Sequence, residues 1–241
     1  MEATVKVQQV SKSFGSKTVL NKVDLQMEKG QIYGLIGPSG AGKTTLVKMM
    51  VGMELSDEGE VRVLETRMPS LSMLQQIGYM AQSDALYGEL TAEENLRFFA
   101  SMFKMNRAEQ KQRIAYAADL VGLADELGRK VAVYSGGMKR RLSLAIALLH
   151  DPSVLILDEP TVGIDPELRQ SIWKELVRLK TSEHKTIIVT THVMDEADKC
   201  DQLAMVREGT ILAKGTPEQL KQQYDAANLE EVFLRAGGGT V

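Results

Sequence analysis

The chain has 241 residues, is 44% hydrophobic and 25% charged, and carries a net charge of −3 at pH 7. That balance is ordinary for a soluble globular protein with a sizeable core, and it excludes a general nucleic-acid binder built on excess basic charge. One cysteine, Cys200, excludes an internal disulfide and is expected to be buried and inert. The longest apolar run, Leu144–Leu149, is far too short for a membrane span, and MEATVKVQQV lacks a signal-peptide shape, so a cytosolic protein is expected.

The chain up to IGYMAQ reads mainly as short strands: TVKVQQV, VLNKVDLQM, QIYGLIG, GEVRVL and IGYMAQ itself, divided by glycine and polar turns. Helix enters at GKTTLVKMMVG, where Gly52 is placed to close it. Thr91 and Glu94 in TAEENLRFFASMF have the spacing of a capping box, and NRAEQKQRIAYAADLVGL carries apolar residues at helical intervals. Met102 and Met105 in this stretch are assigned to core filling rather than to an adaptable partner surface. From Ser135 the chain alternates: helix to about His150, strand VLILD, helix 166–180, strand TIIVTT, helix from Val193. Such alternation predicts a parallel sheet with helices on its faces. The expected plan is one α/β domain over 1–236, with an antiparallel β region near the start, a helical insertion at about 83–134 and a flexible tail at 237–241.

The strongest chemical motif is GPSGAGKTT, which matches G-x-x-x-x-G-K-S/T between an apolar strand and a helix. Glycines there let backbone N–H groups close on phosphate oxygens, Lys43 offers a point charge to the β- and γ-phosphates, and Thr44 offers a hydroxyl to Mg²⁺. NKVD at 21–24 resembles the guanine-reading motif of GTPases, but it precedes the phosphate loop instead of following it and is assigned to strand and turn. In VLILDEP, Asp158 ends a strand apolar on both faces and is the candidate metal carboxylate. Glu159 beside it is the candidate general base for the attacking water. His192 closes TIIVTT and is expected at the same sheet edge, facing the γ-phosphate. Gln82 ends IGYMAQ and could reach Mg²⁺ or the water through its amide oxygen. YSGGMKRR presents a second Ser-Gly-Gly anion turn at the start of a helix. Lys139, Arg140 and Arg141 fit either an extension of that anion site or a solvated helix face.

Taken in this order, the motifs resemble those of the ATP-binding subunits of ABC transporters, over almost the whole chain. The resemblance implies the ABC ATPase fold, a P-loop NTPase core with a mostly parallel sheet. It places Phe14 as the adenine-stacking aromatic, and Gly37, Pro38, Ser39, Gly40, Ala41, Gly42, Lys43, Thr44 and Thr45 as the Walker A loop. Gln82 becomes the Q-loop residue, Asp158 and Glu159 the Walker B pair, and His192 the switch histidine. It further implies a head-to-tail dimer of two copies, each ATP held between one P-loop and the signature of the other chain. Ser135, Gly136, Gly137, Met138 and the D-loop Asp165 would therefore act in trans. The signature departs from the common Leu-Ser-Gly-Gly-Gln at Tyr134 and Met138, and Met138 lacks the polar contacts of a glutamine. YSGGMKRR and LEEVFL resemble the ABC-2 exporter branch. ATP and Mg²⁺ are the implied cofactors. The expected partner is a separate integral membrane permease docked near SDALYGELTAEENL, with the chain peripheral on the cytoplasmic face. The competing expectation is a soluble ABC ATPase acting on ribosomes or nucleic acid; relatives of that kind carry two cassettes in one chain or a long coiled-coil insertion, which this chain lacks.

Overall fold

The computed structural model describes residues 3–83 and 85–238. The chain enters as an antiparallel pair, β1 (Ala3–Phe14) and β2 (Lys17–Glu28). Strand β3 (Ile32–Ile36) then leads through the glycine loop into α1 (Lys43–Met50). Strands β4 (Glu58–Val63) and β5 (Thr66–Arg67) return to β1 and complete a four-stranded sheet in the order β2-β1-β4-β5. The sequence reading stopped β1 at Val10; the structure carries it to Phe14 through register shifts on either side of Val10. An antiparallel sheet with one solvated face accepts the polar Ser11-Lys12-Ser13 where a parallel strand would not.

Strand β6 (Ile77–Met80) is followed by α2 (Ala92–Ser101) and α3 (Arg107–Leu120), then α4 (Gly136–Leu148), β7 (Val154–Asp158), α5 (Pro166–Glu183) and β8 (Thr186–Thr191). Thr91 and Glu94 form the expected capping box of α2, and Asn106 with Glu109 forms another on α3. The helix expected from Val193 is only the four-residue α6 (Met194–Ala197). The hairpin β9 (Gln202–Arg207) and β10 (Thr210–Gly215) follows, then α7 (Pro217–Gln223) and α8 (Leu229–Ala236), none of which the sequence reading separated. The second sheet runs β10-β9-β3-β8-β7-β6; all neighbours are parallel except the β9–β10 hairpin.

Strands β3, β7 and β8 are buried along their whole length, and their side chains alternate between two cores. Leu155, Leu157, Ile187 and Val189 face the core shared with α2, α3, α4 and α5. Val154, Ile156, Ile188 and Leu35 face the core shared with α1 and the antiparallel sheet. Each such side chain contributes about 1.5–3 kcal/mol when fully buried, so the central strands hold the carboxyl edge of the sheet rigidly between two layers. Cys200 is buried as expected, and burial pushes its thiol up, away from the reactive thiolate. Of the two methionines assigned to the core, Met105 packs there and Met102 is exposed. In the expected tail, Gly237 instead closes α8 and its carbonyl accepts from Arg207; the remainder of the tail from 239 onward lies outside the described residues.

Candidate nucleotide-binding site

The parallel register assembles the site. Ile36 pairs with Thr191, Asp158 with Thr190, and Met80 with Leu157. Gly37, His192, Glu159 and Gln82 therefore leave the sheet at one edge, the carboxyl end where ligands gather in open α/β sheets.

The loop 37–42 carries no side-chain cap for α1, whose first turn is left with free N–H groups. Gly42 adopts φ 107°, and a Cβ there would lie 2.8 Å from the Val19 carbonyl oxygen. Only glycine lets the loop press against β2 and still aim its N–H groups outward. Pro38, Ser39 and Gly40 are exposed, Ala41 is buried, and Thr44 and Thr45 are half-buried on the first turn of α1. Lys43 is buried, and its Nζ donates to the carbonyls of Gly37 at 2.6 Å and Pro38 at 3.0 Å. Burial pulls its ammonium below the usual lysine range; the Glu159 and Asp158 carboxylates oppose that and favour the cation.

Asp158 is buried at the end of β7, and one carboxylate oxygen accepts from the Thr190 hydroxyl. Its Oδ2 is buried with no hydrogen-bond partner. Glu159, at φ 54°, turns away from the strand, its N–H held by Thr190. Glu159 Oε1 meets His192 Nδ1 at 3.1 Å, and Oε2 accepts from Gln82 Nε2 at 3.4 Å. Two residues, from the ends of β8 and β6, thus converge on the carboxylate that follows β7.

Beyond this cluster, Phe14 stands half-exposed at the end of β1 with Lys12 Nζ 5.2 Å from its ring centre. Among the described residues no hydrogen bond or ion pair joins Ser135, Gly136 or Gly137 to the loop 37–45. Ser135 instead caps α4, accepting from Met138 N–H at 3.2 Å. Gly136 opens to free space, whereas a Cβ on Gly137 would lie 2.9 Å from the Gly163 carbonyl oxygen. Asp165 is exposed and caps α5 through Leu168 N–H.

Neither expectation for Arg140 and Arg141 holds. Arg140 is buried and turned inward to the carbonyls that end β6 and β7, and Arg141 reaches the carbonyls of Val121 and Gly122. Helical spacing held the clue: Arg140 lies four residues before Leu144 and eight before Leu148, on the buried stripe of α4. The sequence reading also missed Glu196, buried between the hydroxyls of Thr161 and Thr191, which braces the turn carrying His192.

The residues fit a nucleotide and its cation. Among the described residues no cluster of three or more His, Cys, Asp or Glu could cage a metal. Mg²⁺ needs no such cage, since it keeps waters and takes one or two protein oxygens beside substrate phosphates. The partnerless Asp158 Oδ2 and the Thr44 hydroxyl at the start of α1 supply such oxygens.

A family model described as "ABC transporter" matches residues 20–162. The chain is 38% identical over 232 residues to a probable multidrug ABC transporter ATP-binding protein of Escherichia coli, covering 95% of this chain and 40% of that protein. It is 40% identical over 227 residues to Nod factor export ATP-binding protein I of a Rhizobium species, covering 93% of this chain and 74% of that one. Among solved structures, an ATP-binding subunit of an ABC transporter superposes with a TM-score of 0.89 at 28% identity, over 97% of this chain and 99% of that one. A dimeric, post-hydrolysis ATP-binding cassette bound to ADP and Pi superposes with a TM-score of 0.82 at 25% identity, over 88% and 98%. The chain thus spans less than half the length of the E. coli relative and about three quarters of the Rhizobium one.

Proposed function

The chain belongs to the ABC transporter family, and from that premise we propose that it is the ATP-binding and ATP-hydrolysing subunit that energises export through a separate integral membrane permease. The observation that carries this reading is the convergence of His192 and Gln82 on Glu159 beside the mouth of the glycine loop. Residues 1–236 act as one cassette, with the helical stretch at about 83–134 as its subdomain and docking side. No helix of the described residues is long and apolar enough to cross a membrane. The permease therefore supplies the span, and this chain sits peripherally on its cytoplasmic face. Relatives named for multidrug and Nod factor export support the exporter direction; the ribosome or nucleic-acid reading gains no support from them.

ATP enters with its adenine on Phe14 and its phosphates on the outward N–H groups of the glycine loop and the first turn of α1. Lys43 exchanges the Gly37 and Pro38 carbonyls for the β- and γ-phosphate oxygens. Thr44, Asp158 and Gln82 would hold Mg²⁺, which neutralises phosphate charge. Glu159 accepts the proton of the attacking water at a carboxylate oxygen, while His192 and Gln82 fix that carboxylate and the water in line with the γ-phosphate. Ser135, Gly136 and Gly137 of a second copy face the same γ-phosphate through the N-terminus of α4, with Met138 and Asp165 beside them. Closure of the C₂ dimer around two ATPs drives the permease, and loss of the γ-phosphate reopens it.

The test is Glu159→Gln. Turnover is expected to fall by about 10²–10⁴-fold, as for loss of a general base, with ATP affinity retained. Tagged Glu159→Gln protein with ATP, recovered from detergent-solubilised native membranes, is expected to bring one polytopic membrane protein in near-equal amount. Near-wild-type turnover removes Glu159 from its role; soluble partners without a membrane protein remove transport.

A further inference from the structure

The parallel strands β6 and β7 stay paired as far as Met80 and Leu157 and then part, one toward Gln82 and the other toward Glu159. Backbone carbonyls beyond that point lose their ladder partners and must find others. Arg140 meets them from the second turn of α4: Nη1 donates to the carbonyls of Ala81 at 2.6 Å and Gln82 at 2.9 Å, and Nη2 to those of Asp158 and Glu159, the latter at 2.8 Å. A planar guanidinium has the rigid fork of donors this needs, which a lysine ammonium lacks. The same helix begins at Ser135, and its Gly137 lies against Gly163 in the loop that follows Glu159.

We propose that Arg140 is a positioning residue that clamps the backbone of Glu159 and Gln82 to the first turns of α4. Under this arrangement the Ser135 turn and the chain's own hydrolytic carboxylate move as one body. Contact of that turn with a phosphate held by a second copy is then felt at Glu159 of the chain that makes the contact. The inference rests on the ATPase reading above and adds to it a physical link between the two ends of one chain's machinery.

Arg140→Lys is the test, with Arg141→Lys as the control because, among the described residues, Arg141 donates away from Glu159, to the carbonyls of Val121 and Gly122. Hydrogen exchange is expected to quicken in peptides covering Met80–Ser83 and Asp158–Val162, while β1 and β2 stay unchanged. The kcat for ATP is expected to fall about 10- to 100-fold, the scale of a misplaced catalytic group, with the ATP dissociation constant within about threefold. In the Glu159→Gln background, adding Arg140→Lys is expected to change the residual turnover by less than about twofold, since Arg140 acts through Glu159. Unchanged exchange at both segments, an unchanged kcat, or an equal loss in the Glu159→Gln background overturns the proposal. If Arg140→Lys does not fold, Arg140→Gln, whose planar amide still carries two donors, bears the same expectations. A wild-type chain that fails to hydrolyse ATP counts against the ATPase reading alone, and the exchange measurement still decides Arg140.

Discussion

Gly42 and Gly40 make a matched pair for measuring what the nucleotide loop demands of its backbone. Both have positive φ, 107° and 78°, but a Cβ on Gly42 would lie 2.8 Å from both the Val19 oxygen and the Leu20 Cδ2, whereas one on Gly40 meets nothing within 4 Å. Gly40→Ala therefore carries only the conformational cost of a left-handed alanine, about 1–2 kcal/mol. Gly42→Ala adds overpacking against β2, about 1–3 kcal/mol, to a backbone strain of about 1–3 kcal/mol, for a total of about 2–6 kcal/mol. Against a typical domain stability of about 5–15 kcal/mol, that is a large fraction. Urea titration followed by circular dichroism reads both variants, and ATP binding reads the loop itself. Gly42→Ala is expected to lose markedly more stability and to bind ATP weakly, because its strain is relieved by moving Lys43, the next residue. Equal losses in the two variants would refute the packing argument.

Phe14→Ala is expected to weaken ATP binding by about 1 kcal/mol, the low end for base stacking on an exposed ring, or about fivefold in dissociation constant, without a change in urea midpoint. A large loss of stability with unchanged binding would make Phe14 a structural residue only. His150, stacked on Phe103 at 3.9 Å between ring centres, has its pKa pushed down to about 4, first by burial and then by Arg113, with the Ile77 carbonyl opposing. Because the unfolded chain takes up that proton first, the neutral stack's stability is full above pH 6.5 and drains away as pH falls toward about 4. His150→Gln is expected to flatten the stability profile in that window; an unchanged slope would mean that other groups set it.

The carboxyl edge of the sheet was legible because its central strands are short, uncharged up to their ends and buried at every position. VLILD and TIIVTT show no polar–apolar alternation and no charge before Asp158, so their ends, and with them Asp158, Glu159 and His192, could be placed from sequence. Thr91 and Asn106 carry their caps in the local chain, although only the first was read. The hairpin β9–β10 escaped because Gln202–Arg207 mixes polar ends with Ala204 and Met205, which suit helix as well as strand, and because the helix expected from Val193 had no predicted end. Arg140 escaped for a different reason. It donates to carbonyls exposed where β6 and β7 separate, a property of the sheet and not of any window of sequence. The charge run Lys139-Arg140-Arg141 suggested solvent or phosphate, while the stripe position of Arg140 in α4 pointed inward.

The central claim is that one ATP is held by two chains, with Lys43 on one side and Ser135 on the other. Sedimentation of Glu159→Gln protein with and without ATP tests it most directly, alongside the same protein carrying Ser135→Arg. Ser135 is exposed at the start of α4, so a bulky cation there blocks the turn at the cost of one cap, about 1 kcal/mol. The expected result is an ATP-dependent dimer for Glu159→Gln, and a monomer that still binds ATP once Ser135→Arg is added. A Glu159→Gln chain that stays monomeric with ATP bound, or a dimer indifferent to Ser135→Arg, would contradict the shared site.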